Sequence, residues 1–197
     1  MKHEGTRKAD TRRKLISQAS IRLRRDGLNA VGLRALVAEA GLTHGAFYAH
    51  FPSKAKLVEA AIDQALGETC ARLLEAVSAV DSEKQLDAFV SAYLSELHWR
   101  SMDKGCMAAA LGPEITRENH EMRAALASGL KPIVSLLKSL LPAGGDSSRR
   151  ATRAETIFAG MMGALQLARL YEDANAANDF LAAARSNALI AAAQSWD

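Results

Sequence analysis

Cysteine is scarce in this chain: Cys70 and Cys106 are the only two, too few for a disulfide framework. No apolar run approaches the ~18 residues that a bilayer-spanning helix needs. The charged, apolar and small-residue pattern of a secretory signal is missing from the N-terminus. A reducing cytoplasm and no membrane partner are therefore expected. Chemistry-bearing patterns are absent as well. There is no H-E-x-x-H, no phosphate-cradling Gly loop and no nucleophile–base pairing, and His98 and His120 lack metal-ligand spacing. Neither an enzyme nor a metal or other cofactor is expected. Aromatic residues make up only 5% of the chain, and no period-2 runs bounded by turn signals occur. With Ala so frequent, the expectation is an all-α fold.

What is present is uneven charge. The net charge is +3, but residues 1–59 hold 12 Lys/Arg against 5 Asp/Glu, or +7, and residues 60–197 hold 13 against 17, or −4. A basic end suits a polyanion, and the rest then has another task. Arg7, Lys8, Arg12, Arg13 and Lys14 cluster before the motif, in a short arm or a first helix expected over 8–25, which has Leu15, Ala19 and Leu23 on its buried stripe. Some of these cations would extend a phosphate footprint, and others would simply be solvated.

The densest signal lies at 28–59, LNAVGLRALVAEAGLTHGAFYAHFPSKAKLVE. Leu33, Leu36, Val37 and Ala40 mark one short helix, broken at Gly41-Leu42. A second begins after Thr43, which suits an N-cap. Two short helices joined by a tight Gly turn make a helix-turn-helix, whose second helix can enter a major groove. Phe47 and Phe51, four apart, share that helix's buried face. His44, Gly45, Tyr48, Ala49 and His50 fall on the other side, where a solvent face would normally carry Lys and Glu. Ser53 caps the next helix, yet Lys54 and Lys56 follow it. Cations there oppose the helix dipole by roughly 0.3–1 kcal/mol each, and a phosphate nearby would reverse that sign. A purely solvated role is the weaker reading for Lys54, and for Lys56 the two readings are level.

This segment resembles the DNA-binding domain of the TetR family of bacterial transcriptional regulators. The resemblance is carried by Ala38, Ala40-Gly41-Leu42-Thr43, Gly45-Ala46-Phe47-Tyr48, His50-Phe51, Ser53-Lys54 and Leu57. It implies that His44, Gly45 and Ala46 lie nearest the bases, while Thr43, Tyr48, His50 and Lys54 hold the DNA backbone. Where many members carry a hydroxyl at the start of the first motif helix, this chain has Gly32 and Leu33; Arg34 is the substitute phosphate contact. The implied architecture is a three-helix DNA-binding domain over 1–52 and a six-helix ligand-binding and dimerisation domain over 53–197. The implied partners are a double-stranded, pseudopalindromic operator, a small-molecule effector and a second copy of the chain. The implied function is a repressor that the effector releases from DNA. An activator or co-repressor-dependent regulator, an all-helical enzyme acting on an apolar substrate and a helical protein that has lost DNA binding remain as rivals.

In the second half, long helices are expected over 53–80, 83–100, 119–140, 149–173 and 178–195, with a short apolar piece bracketed by Gly105 and Gly112-Pro113, and a loop at 142–148. An apolar lining with a few polar groups suggests effector contacts at Phe89, Tyr93, Trp99, Met102 and Cys106, and further on at Met107, Met122, Met162 and Gln166. Core packing is the competing reading for each. Cys106, beside Lys104 at a helix start, suggests a reactive thiol, against the more frequent role of a buried structural one. Glu114, Glu118 and Glu121 read as a solvated face. On the last two helices Ile157, Phe158, Met161 and Leu165 face Phe180, Leu181, Ala184 and Ala188. The resemblance makes these eight the expected dimer interface, with Gly160, Gly163 and Ala164 allowing close approach.

Overall fold

The computed structural model describes residues 2–29 and 32–196, with side chains from Thr6 onward. The first helix, α1 (Lys2–Asp26), buries Leu15, Ala19 and Leu23 as the heptad-like spacing predicts. It ends where Gly27 takes φ +88°, a left-handed cap that glycine adopts without Cβ strain, its N–H bonded to the Leu23 carbonyl at 3.0 Å. α2 (Leu33–Glu39) and α3 (His44–Tyr48) are joined by a turn in which Gly41 has φ +72°. Lys14 and Gln18 of α1 donate to the carbonyls of Ala40 and Glu39, and Arg22 pairs with Glu39 at 2.7 Å. Three side chains of α1 thus fasten the C-terminal end of α2.

α4 (Lys54–Ser78) is the spine of the molecule, packed against α1 on one side and α8 (His120–Leu140) on another. Ser53 caps it, the hydroxyl accepting from Lys56 N–H at 3.2 Å. Leu57, Ala61, Ile62, Ala65 and Leu66 on α4 are fully buried. The approach to α8 is close enough that a Cβ on Gly129 would stand 2.5 Å from Leu66 Cδ1 and 3.3 Å from Leu66 Cβ. A Gly129→Val variant should therefore lose about 1–3 kcal/mol to overpacking, although any non-glycine residue is normally a better helix former. Chemical denaturation measures this; an unchanged midpoint would show that the two helices separate freely.

The body continues with α5 (Gln85–Tyr93), α6 (Glu96–Arg100), α7 (Met107–Ile115), α8, α9 (Ser147–Ala168) and α10 (Ala174–Ala193), with short 3-10 turns before α5 and after α6. Seven α-helices follow Ser53 among the described residues, not six. The extra one arises because the helix expected over 83–100 splits. Leu94 leaves the helical region at ψ 46°, and Ser95 then caps α6 through its hydroxyl, which accepts from His98 N–H. Gly112-Pro113 does not end the apolar piece but lies inside α7. Pro113 has no N–H to give the Ala109 carbonyl four residues earlier. Gln166 Nε2 supplies the missing donor at 3.1 Å, so a proline that should break the helix is tolerated. Asp173, expected inside the penultimate helix, instead caps α10 by accepting from Asn175 and Ala176 N–H.

The eight residues expected at a dimer interface lie in or against the chain's own core. Ile157, Phe158, Met161, Leu165, Leu181 and Ala188 are buried within the chain, and Phe180 and Ala184 are half-buried against the same core. The largest apolar side chains of α9 and α10 point inward because this chain's own core claims them. Facing outward are Ala159, Gly160 and Leu167 on α9 and Ala183 and Ile190 on α10, with Leu167 52% and Ile190 62% exposed. Nothing lies within 4 Å of a Cβ built on Gly160 or Gly163, so intrachain packing does not require glycine at either place. None of the helices among the described residues is long and apolar enough to cross a membrane.

Candidate nucleic-acid interface

α3 is five residues long and ends at Tyr48. Thr43 caps it as the sequence suggests, its hydroxyl accepting from Ala46 N–H at 3.2 Å. Phe47 and Phe51 are buried and stacked at 5.9 Å between centroids, and Phe51 N–H still reaches the Phe47 carbonyl. Anchored by those rings, the short helix turns its other side out. Thr43, His44, Gly45 and Tyr48 are exposed, and Ala46 and His50 are half-buried. His44 and Tyr48 meet edge-on at 5.4 Å. Gly45 has open space around its missing Cβ. The face carries no formal charge and no bulk beyond Tyr48.

The cations around it divide by partner. Lys56 pairs with Glu59 at 2.7 Å and Arg13 with Asp10 at 3.1 Å, while Arg12 lies over the Phe51 ring at 4.7 Å. Lys54 is half-buried with no ion-pair partner among the described residues, and Arg34 is exposed beyond the cap of α2. Gly32, with no side chain to cap α2, leaves Arg34 as the first polar group there.

The expected effector contacts gather less well. Phe89, Cys106 and Met107 are fully buried and Met122 nearly so; all four are core. Gln166 is committed to Ala109. Trp99 donates to Asn178 Oδ1 at 3.4 Å and joins α6 to α10, Met102 is 40% exposed on a 3-10 turn, and Met162 is half-buried on α9. Of the nine, Tyr93 alone lines a cavity of about 810 Å³ where α1, α4 and α6 meet. That is within the range of pockets for organic ligands. Its walls come from α1 (Ser17, Ile21, Arg24), α4 (Glu68, Thr69, Arg72, Leu73) and the α5–α6 corner (Ala92, Tyr93, Leu97, His98), with Lys104 at one side.

Arg24 is the buried link between these walls. Its guanidinium donates to the Ser20 carbonyl and hydroxyl on α1, to the Gly105 carbonyl at 3.1 Å before α7, and to Glu68 of α4 at 3.3 Å. A second tie joins the same parts: Glu114 of α7 accepts from Leu28 N–H at 2.8 Å. The carboxylate read from sequence as solvated thus caps the end of α1 from the far side of the chain.

His98 forms the cavity's inner wall. Its Nε2 accepts from Cys106 N–H at 2.8 Å, which leaves Nδ1 to carry the proton toward the Tyr93 carbonyl. Burial pushes its pKa down from 6.5 to about 4, and the nearby Arg169, Arg72 and Arg24 add to the shift. Tyr93 packs edge-on to His98, and burial beside the Cys106 thiol holds its hydroxyl well above the usual phenol range. The unfolded chain binds the imidazole proton below pH 6.5 and the folded chain only below about 4. Stability from this group is therefore full above 6.5 and falls as pH drops through that window. From pH 7 to pH 5 the loss should be roughly 2 kcal/mol in urea unfolding. A His98→Asn variant with the same slope would show that another group titrates.

A short helix-turn-helix with an uncovered recognition face, mounted on a helical body with an organic-sized cavity, defines a ligand-responsive DNA-binding regulator. Comparison with known families agrees across most of the chain: residues 15–61 match "Bacterial regulatory proteins, tetR family" and residues 82–184 match "Tetracyclin repressor-like, C-terminal domain". The chain belongs to the TetR family of transcriptional regulators. Members bind operator DNA, respond to small-molecule effectors and act as homodimers. Among curated relatives, the HTH-type transcriptional regulator LmrA of Bacillus subtilis is 24% identical over 78% of this chain and 82% of its own. The HTH-type transcriptional repressor NemR of Escherichia coli is 24% identical over 70% of each. The same fold appears in the reduced form of E. coli NemR, with TM-score 0.76, 21% identity and coverage of 91% of this chain and 95% of that one. A regulator from Chloroflexus aurantiacus aligns at TM-score 0.78 and 21% identity over 96% of this chain and 98% of its own. The matched relatives are regulators and not enzymes.

Proposed function

We propose that this protein is a repressor whose paired α3 helices read an operator and whose cavity at the α1–α4–α6 junction admits the releasing effector. The observation that carries the reading is the outward face of α3, which nothing among the described residues covers. His44, Gly45 and Ala46 approach base edges there, and Gly45 lets the backbone come close. Thr43, Tyr48, His50, Lys54 and Arg34 hold phosphates. The boundary between the reading and sensing parts falls near Pro52, where α4 begins.

The second copy docks on the outward stripe of α9 and α10 that contains Gly160, Leu167, Ala183 and Ile190. A two-fold pair sets the recognition helices ~34–36 Å apart, or a multiple of this, to match a pseudopalindrome. The cavity explains release. Because α1 supplies one wall and α4 and α6 the others, a ligand that prefers a wider or rotated arrangement of α1 on α4 shifts the population away from the DNA-matching form. Equal affinity for both forms would shift nothing.

Lys54→Ala and Tyr48→Ala test the assignment. Each should weaken binding to a duplex selected from a random pool, and Lys54→Ala should reduce the magnitude of the log–log salt slope by about 0.9 per subunit. Unchanged affinity and slope in both would favour a helical protein without DNA binding.

A further inference from the structure

The cavity carries a charge imbalance that its position alone does not require. Arg24, Arg72 and Lys104 face it, against a single carboxylate, Glu68. Glu68 is already engaged, since it accepts from Arg24 at 3.3 Å and from Gln64 at 2.7 Å. Arg72 donates to the Thr69 hydroxyl at 3.3 Å and forms no ion pair among the described residues, and neither does Lys104. His98 adds no charge, because burial keeps it neutral at physiological pH.

A fourth cation stands behind the His98 wall. The Arg169 side chain lies against Gly105, its Nη2 2.8 Å from where a Cβ on that glycine would be. Its Nε and Nη2 are sealed from solvent with no acceptor among the described residues. It helps hold His98 neutral, so its field extends to the wall itself. Asp103 bears on the field at Arg24 but does not line the space. The rest of the lining mixes the apolar Ile21, Leu73, Ala92 and exposed Leu97 with serine and threonine side chains from α1, α4 and the α5–α6 corner.

Arg72 and Lys104 are exposed at the cavity's rim, where an anion meets a net positive field that the single, already engaged carboxylate does not offset. We infer that the cavity takes an amphipathic organic anion, its apolar body against Ile21, Leu73 and Leu97 and its acidic group received by Arg72 and Lys104. This rests on the proposal that the cavity is the effector site, and adds the chemical class of the effector. The acidic group sits beside Arg24, which ties α1 to Gly105. An anion competing for that guanidinium loosens one of the two ties that fix α1 on the body.

Two fluorescent probes with the same aromatic body separate the outcomes: 8-anilinonaphthalene-1-sulfonate, an anion, and N-phenyl-1-naphthylamine, which is neutral. The anion should bind the full-length protein with one saturable site per subunit, and more tightly than the neutral probe. Replacing the exposed pair, Arg72→Met with Lys104→Met, should weaken the anion about tenfold or more and leave the neutral probe within about twofold. Ala71→Trp, which fills the mouth from the exposed side of α4, should weaken both. If the double variant binds the anion as well as the parent does, or if the neutral probe binds as tightly as the anion, the anionic class is wrong although the cavity can still be the effector site. If Ala71→Trp leaves both titrations unchanged, the effector reading of the cavity fails and the inference fails with it. Melting curves of each variant guard against misfolding, and Arg72→Lys with Lys104→Arg should keep the anion preference.

Discussion

A Gly45→Glu variant should lose about a hundredfold or more in operator affinity while melting at the parent's temperature. The two halves of that result have separate causes. Nothing lies within 4 Å of a Cβ at Gly45, and the residue is exposed on α3, so the folded chain has room for the side chain. Glutamate is also the better helix former, which favours folding slightly. On DNA the position is unforgiving. The proposed interface needs the α3 backbone close to base edges, and a carboxylate there is both bulky and of the same sign as the phosphates. Loss of a good base-edge contact costs about 1–3 kcal/mol, and charge repulsion adds to that. Gly67→Glu is the control. It also sits on a helix with open space at its Cβ, but on α4 and outside the proposed interface. Anisotropy titrations of both variants should separate them widely; equal affinities would remove α3 from the interface.

The second large effect should come from Arg24→Met, expected to destabilise the fold by about 3 kcal/mol and to weaken the link between α1 and the body. Methionine keeps most of the stem's volume, so the loss is that of the guanidinium. The Ser20 and Gly105 carbonyls then lose a donor in a buried place, at a cost of about 1–3 kcal/mol for each group left unsatisfied. Glu68 loses less, because its side chain is 41% exposed and water can replace the arginine. Glu114, accepting from Leu28 N–H, still ties α1 to α7, so the fold should persist. In hydrogen exchange, the amides near the end of α1 should lose protection more than those of α9 and α10. A uniform loss would show that Arg24 supports the whole core and not this junction.

The recognition segment was legible because one short stretch encodes its burial, its turn and its exposure together. Phe47 and Phe51 show which side goes in, Gly41 shows where the chain turns, and Thr43 and Ser53 mark the helix starts. Each of these is a local matter, settled within a few residues. The cavity was not legible because its walls come from helices far apart in sequence. Arg24, Glu68 and Arg72 each look like ordinary solvent-face charges on their own helix. Only packing of α1 on α4 and α6 turns them toward one space. Ranking residues by apolar character instead selected Phe89, Met107 and Met122, which are core for that very reason.

The same bias drew the expected dimer face toward the core. Ile157, Phe158, Met161 and Leu165 are among the most apolar residues of α9, and the chain's own core takes them. The stripe left outside is made of Gly, Ala and isolated Leu and Ile, too plain to stand out by hydropathy. A better signal was available in Gly160 and Gly163, which are costly within a helix and have no packing reason inside the chain. Gln166 and Glu114 could not have been read correctly from sequence. Their roles depend on a carbonyl freed by Pro113 and on an N–H at the end of α1, and both partners are more than fifty residues distant.

The central claim is that the outer side of α3 lies on duplex DNA, and tethered cleavage tests it most directly. A chain with Cys70→Ser and Cys106→Ala would carry His44→Cys modified with an iron chelate that cuts the nearest sugar-phosphate backbone. Bound to its operator, it should cut at two clusters related by two-fold symmetry, about one helical turn apart or a multiple of that. The same chelate on Glu155→Cys, on the solvent side of α9, should cut nowhere. Absence of cuts from position 44 on a duplex that the protein still retards, or cuts from position 155 instead, would contradict the account.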